Sequence, residues 1–274
     1  MDNNLFKVKH NSWLSILFGS FAIKNSEISN ELYEFSTIAF RHLRWISREL
    51  KALHVEYNYD RLELNIEHNT THEFLKSIIS TISSASLYYN KSSLFERIKT
   101  DEHYMLSRLN SMLISCKDEK ITAFNRGMKY ENRELNPKQT SSLVKFLFEE
   151  SYKEYELILV YAYMQNHTDS IQENDIFQDL IDESQYHLKS FGTMMSKLGI
   201  LSLPRELHEK TYKIDDVSKF IVDGIKEEEA AKEMCKALSA EVNDKDLSKF
   251  FDFINYQESY HIDLMKKLLS DVTH

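Results

Sequence analysis

Apolar residues recur at alternating intervals of three and four through long stretches of this chain, separated by short polar breaks. That spacing keeps one face of a 3.6-residue turn apolar, so it predicts amphipathic helices packed on one another rather than strands. About eight such segments can be drawn. The first four run over about 5–24, 26–53, 70–89 and 92–116, with 58–71 as a longer crossover. Ser26 before Glu27, and the Ser92-Ser93 pair before Leu94, read as helix starts. Periodicity then fades and charge density rises over 117–139, where Asn136-Pro137 supplies a stop and one further short helix has room. The last four segments run over about 140–166, 174–198, 214–240 and 244–270, with a crossover at 202–212 that contains Pro204. The expected fold is therefore all-α, two antiparallel four-helix bundles in tandem. An N-terminal bundle takes 1–120, a connection 121–139, and a second bundle 140–274.

Composition agrees with helices. Only 5 glycines and 2 prolines stand among 274 residues, too few for the corners of a many-stranded protein. Forty-three acidic against 34 basic residues give a net charge of −9, and no Lys/Arg run exceeds a pair, which speaks against nucleic acid as a partner. No apolar run approaches the roughly 20 residues of a spanning helix, so no membrane partner is expected. Cys116 and Cys235 are isolated and lack metal-ligand spacing, which suits reduced thiols of a cytoplasmic protein.

Chemistry emerges when the second half is slid against itself by 74 residues. Phe177, Leu180, Ser184, His187, Phe191 and Met194 then fall on Phe251, Ile254, Glu258, His261, Met265 and Leu268. Each set forms one seam along its helix, with a histidine at the same height. The same shift lays Glu154 on Glu228, each 33 residues before its histidine, on stripes expected to face the core. A buried carboxylate costs several kcal/mol unless it is paired, protonated or bound to a cation. Carboxylates with imidazoles suit cations such as Fe²⁺ and Mn²⁺. Glu258-Ser259-Tyr260-His261 places an acid and an imidazole on one helical face, within reach of one ion.

On these residues the chain resembles the ferritin-like superfamily of di-iron and di-manganese carboxylate proteins. There, two helices each give a Glu and the other two each give a Glu-x-x-His. The resemblance covers about the last 130 residues. It implies Glu154 and Glu228 as single-Glu ligands, His187, the Glu258/His261 pair, one or two iron or manganese ions, and reaction with dioxygen or peroxide as in a non-haem oxidoreductase. It also implies a role for Tyr161, two turns beyond Glu154, as hydrogen-bond partner or electron donor near the metals. Storage of the ferritin type fits less well, because it needs a multi-subunit shell; a homodimer is compatible with these features. The departure is Ser184, at the seam position of the second helix's Glu. Glu183 next door is the local substitute, rotated by about 100° from the seam.

Three states of the site follow as alternatives: mononuclear, dinuclear with fewer bridging carboxylates, or vestigial. Two other functions stay open. One is a metal-free helical structural or interaction protein. The other is a haem-oxygenase-like di-iron oxidase, whose carboxylate precedes its His by four as Glu183 precedes His187, although that leaves the 74-residue repeat unexplained.

The first half carries a weaker echo. Ile28, Leu32, Phe35, Ala39, His42, Ile46 and Leu53 form a seam with His42 in the place of His187 and Ala39 in that of the acid. Phe95, Ile98, Glu102, Met105 and Leu109 form another, with a Glu but no His. His10 and His72 are the polar residues nearest the remaining heights. A structural or docking role is expected there, with His68 and His72 at the surface. Glu150, Glu156, Glu227 and Glu229 are expected to face water, and Cys235 to fill core.

Overall fold

The computed structural model describes residues 2–60, 62, 68–121, 135–201, 205–242 and 244–272. Among the described residues the regular structure is helical, with one isolated antiparallel bridge between Thr70 and Lys120. None of their helices is long and apolar enough to cross a membrane. The chain divides into two compact units. Met1–Lys129 with Ser196–Glu206 form the first, and Tyr130–Met195 with Leu207–His274 form the second. Most of the connection expected at 121–139, residues 122–134, lies outside the described residues.

The first unit holds α1 (Asn3–Ala22), α2 (Ser26–Ala52), α3 (Thr71–Ala85) and α4 (Ser93–Ser115). Each begins on a side-chain oxygen that takes up an N–H the first turn leaves unpaired: Asp2, Asn25, Thr70 and Ser92. Asn25, not Ser26, is the cap of α2. It accepts from both Glu27 and Ile28, so the helix starts one residue earlier than a serine cap would set it. The two seams read from the sequence are buried, with one exception: Leu53 lies past the end of α2 and is 52% exposed, and Leu50 takes the buried place.

α1 lies against α2 and α3, and Gly19 marks a close approach to α3. A Cβ added there would stand 2.5 Å from the Phe74 ring and 3.2 Å from the Ile78 Cδ1. A packed ring cannot yield as a flexible chain end can. Gly19→Ala is therefore expected to destabilise the first unit by about 1–2 kcal/mol, overpacking outweighing the better helix propensity of alanine. Tryptophan fluorescence reads this unit alone, because both tryptophans, Trp13 and Trp45, belong to it. A denaturation midpoint equal to or above wild type would show that α3 repacks freely.

The second unit holds α5 (Pro137–His167), α6 (Ile171–Lys197, up to Met195), α7 (Glu209–Tyr212), α8 (Val217–Glu241) and α9 (Lys245–Val272). Asn136-Pro137 turns out to start a helix rather than stop one. Asn136 caps α5, a reciprocal bond with Gln139 completes a capping box, and Pro137 sits in the first turn, where its missing N–H is no loss. The crossover expected at 202–212 contains the one-turn α7. All twelve seam residues of α6 and α9 are buried. Phe146 meets Phe191 and Phe251 edge-on, at 5.9 and 5.6 Å between ring centres, and these rings close the core at one end of the polar seam positions.

Candidate metal centre

Four long helices bring between one and three groups each to a common region. From α5 come Glu154 and Tyr161, from α6 Glu183, Ser184 and His187, from α8 Glu228, and from α9 Glu258 and His261. Seven of these eight residues are at most 3% exposed. The eighth, Glu183, has a side chain 10% exposed, and its carboxylate reaches inward to 3.8 Å from His261 Nδ1. The rotation expected from the helical wheel is thus overcome by a long side chain. Ser184 occupies the seam beside it, and no partner reaches its hydroxyl.

Glu258 lies between the two histidines. Its Oε1 is 3.5 Å from His187 Nδ1 and its Oε2 is 3.9 Å from His261 Nδ1. His187 Nδ1 also stands 3.0 Å from Glu154 Oε1, and the Tyr161 hydroxyl is 3.1 Å from His261 Nε2. One donor atom each from His187, Glu258 and His261 falls within 4.8 Å of the others. Donors sharing one ion at bond lengths of about 2.1 Å stand about 3.0–3.5 Å apart. One ion would draw the triad's donor atoms, which lie within 4.8 Å of one another, closer together.

The twofold pattern of the sequence breaks at the tyrosine. Tyr161 serves His261, whereas its counterpart under the 74-residue shift is Cys235, and His187 Nε2 has no hydrogen-bond partner. Cys235 is buried and burial pushes its thiol well up, which makes it core rather than a reactive thiol.

Unsatisfied polar atoms converge here. Glu154 Oε2, Glu183 Oε2, His187 Nε2 and His261 Nδ1 have no hydrogen-bond partner, and no N–H or hydroxyl reaches Glu258 Oε2. Buried polar atoms are ordinarily paired, and each exception costs about 1–3 kcal/mol.

Proton affinities record the crowding of acids. Burial, then Glu228 and Glu154, push the Glu258 carboxyl well above the usual range. Burial also acts on Glu228, but His261, Lys153 and a hydrogen bond with Glu258 outweigh it and hold Glu228 low. Burial raises Glu183 to about 7 against the pull of His187. His187 is raised because Glu154 and its neighbours overcome burial, and His261 is lowered by burial. Tyr161 is pushed well up by burial among the four acids, so it stays a neutral phenol. Glu227 and Glu229 are exposed as expected, whereas Glu150 and Glu156 are half-buried. Burial raises Glu150 to about 7, with Lys153 opposing.

Two lysines escaped the sequence reading. Lys153, beside Glu154, ion-pairs with Glu228 Oε1 at 2.9 Å. In the first unit Lys9, not His10, occupies the polar height. Its ammonium is 2.6 Å from Glu102 Oε1 and 3.3 Å from the Tyr89 hydroxyl, which itself donates to Glu102 at 2.6 Å. The signal was available: Lys9 stands 33 residues before His42, the same interval as Glu154 to His187 and Glu228 to His261. His42 donates to Asp101 at 2.9 Å and is pushed down to about 3, chiefly by burial. His10 is buried against Trp13, and His72 bonds to the Cys116 carbonyl at 3.0 Å instead of facing water alone.

Compared with family models, curated proteins and solved structures, the chain has no match in any of the three.

Proposed function

We propose that the second unit is an antiparallel four-helix bundle of ferritin-like plan that binds iron or manganese within the cluster of Glu154, Glu183, His187, Glu228, Glu258 and His261, and that its chemistry is redox toward dioxygen or peroxide. The first unit is proposed as a bundle of the same plan whose metal position has been given over to Lys9. The observation that carries the reading is the set of buried carboxylate and imidazole atoms that face one another with no hydrogen-bond partner. A cation would take up carboxylate oxygens and imidazole nitrogens from this set.

Within this reading the residues divide the work. Glu258 bridges the two imidazoles, Glu154 holds His187 in place through its ring nitrogen, and Glu183 does from one residue away what Ser184 cannot. Bound iron or manganese supplies one-electron chemistry toward an oxygen species. Tyr161 keeps its proton at neutral pH and offers it, or an electron, along the bond to His261. Phe177 and Phe220 pack beside Tyr161.

The competing reading is a metal-free polar network in a structural or interaction protein, favoured by the direct His187–Glu154 and Lys153–Glu228 contacts at 3.0 and 2.9 Å. Metal analysis of protein purified without chelator separates the two. About one equivalent or more of iron or manganese is expected, lost in His261→Ala. Less than about a tenth of an equivalent, unchanged after anaerobic reconstitution with Fe²⁺ or Mn²⁺, would sink the metal reading.

A further inference from the structure

Among the four acids of the centre, Glu228 is the one tied to a lysine. Glu154, Glu183 and Glu258 each present a fully buried oxygen with no hydrogen-bond partner, and Glu228 has no such fully buried oxygen. Its Oε1 accepts from the Lys153 ammonium at 2.9 Å. The compact donor triad is accordingly His187, Glu258 and His261, without Glu228.

Charge points the same way. Four carboxylates balance two dications, and a lysine ammonium among them removes part of the need for the second. The first unit carries the device in its enclosed form, where Lys9 stands at the position of Glu154 and pairs with Glu102 at 2.6 Å. Lys153 differs in having somewhere to go. Its side chain is 21% exposed and lines a cleft of about 300 Å³ between α5 and α8, together with Tyr161, Gly224 and Glu228.

We infer that Lys153 sets the number of metal ions: its ammonium holds Glu228 in the place of a second dication, so that the native centre takes one ion, at His187, Glu258 and His261, and becomes a two-ion centre when Lys153 is removed. The inference rests on the metal-binding reading above. Lys153 is a positioning residue, acting through Glu228.

The test is Mn²⁺ stoichiometry of the full chain by equilibrium dialysis, with electron paramagnetic resonance to tell isolated from spin-coupled ions. Wild type and Lys153→Arg are expected to bind one equivalent with an isolated-ion spectrum. Lys153→Met is expected to bind two, with a spin-coupled spectrum, at a free Mn²⁺ concentration where wild type still holds one. Two coupled ions in wild type, or one in both wild type and Lys153→Met, would overturn the role of Lys153 while leaving the metal centre standing. No Mn²⁺ in any of the three overturns the inference together with the reading beneath it. Should Lys153→Met fail to fold, Lys153→Gln removes the charge with a polar side chain suited to this partly exposed place, and the same outcomes apply.

Discussion

Glu102→Ala is expected to destabilise the first unit by about 3–5 kcal/mol, the largest effect of any single substitution outside the centre. Lys9 is 1% exposed, and its ammonium has Glu102 as ion partner and the Tyr89 hydroxyl as a second contact. Removing the carboxylate leaves a charge with no route to water. Burial already lowers the Lys9 pKa against the pull of Glu102, so part of the loss is relieved by deprotonation when the partner is gone. The double variant Lys9→Met/Glu102→Leu removes both charges and is expected within about 1 kcal/mol of wild type or above it, since well-packed apolar pairs replace buried ion pairs without loss. Trp13 and Trp45 report the unfolding of this unit selectively, and a chemical denaturation series checks both variants. A Glu102→Ala midpoint near wild type would mean that Lys9 finds water or another anion. A double variant as damaged as the single one would mean that the pair is needed for packing rather than charge balance.

Helices were legible because their signal is carried by many residues at once. One mistaken position in a seam of six does not change its period, and the twelve seam residues of α6 and α9 were all found. Ends were less legible, because a cap is decided by one or two hydrogen bonds. Asn136 reads equally well as the stop of one element and the start of another until its reciprocal bond with Gln139 is seen. The buried faces of Glu154, His187, Glu228, Glu258 and His261 were readable through spacing alone, since i, i+3 and a 33-residue repeat fix height and face. The lysines were not, for a different reason. Lysine is read by default as solvated, yet Lys9 is enclosed and Lys153 bends its flexible chain back over Glu228. Glu183 was read as a doubtful donor because a wheel diagram fixes the Cβ direction and ignores the reach of three further carbons. Those carbons bring its carboxylate to 3.8 Å from His261.

Mn²⁺ held at about a thousand times its dissociation constant is expected to stabilise the second unit by about 4 kcal/mol, and Glu258→Gln is expected to remove that gain while leaving the metal-free protein within about 1 kcal/mol of wild type. The substitution is expected to be mild without metal because burial and the neighbouring acids disfavour a charge on Glu258, and the amide brings none. It is decisive with metal because the carboxylate between the two imidazoles is exchanged for an amide that cannot become an anion. Acidity sharpens the contrast. Glu183 and Glu150 bind protons up to about 7 when folded, against an ordinary value of 4.5. The folded state therefore holds more protons than the unfolded one between those values, and metal-free stability falls as pH rises through about 5 to 7. Raised His187 acts in the same direction, whereas His261, lowered by burial, opposes it below its ordinary 6.5. The metal-free second unit should thus lose about 2–4 kcal/mol between pH 5 and 8, after allowing for solvent screening at Glu183. Metal displaces the same protons, so the gain from Mn²⁺ grows over the range in which metal-free stability declines. Hydrogen exchange of the α6 and α9 backbone amides, measured with and without Mn²⁺ at pH 6 and pH 8, reads this unit directly. Protection that rises with Mn²⁺ in wild type, more at pH 8 than at pH 6, and is absent in Glu258→Gln is the expected pattern. Equal protection with and without Mn²⁺ in wild type, or a response retained in Glu258→Gln, would return these acids to a structural network with no metal at its centre.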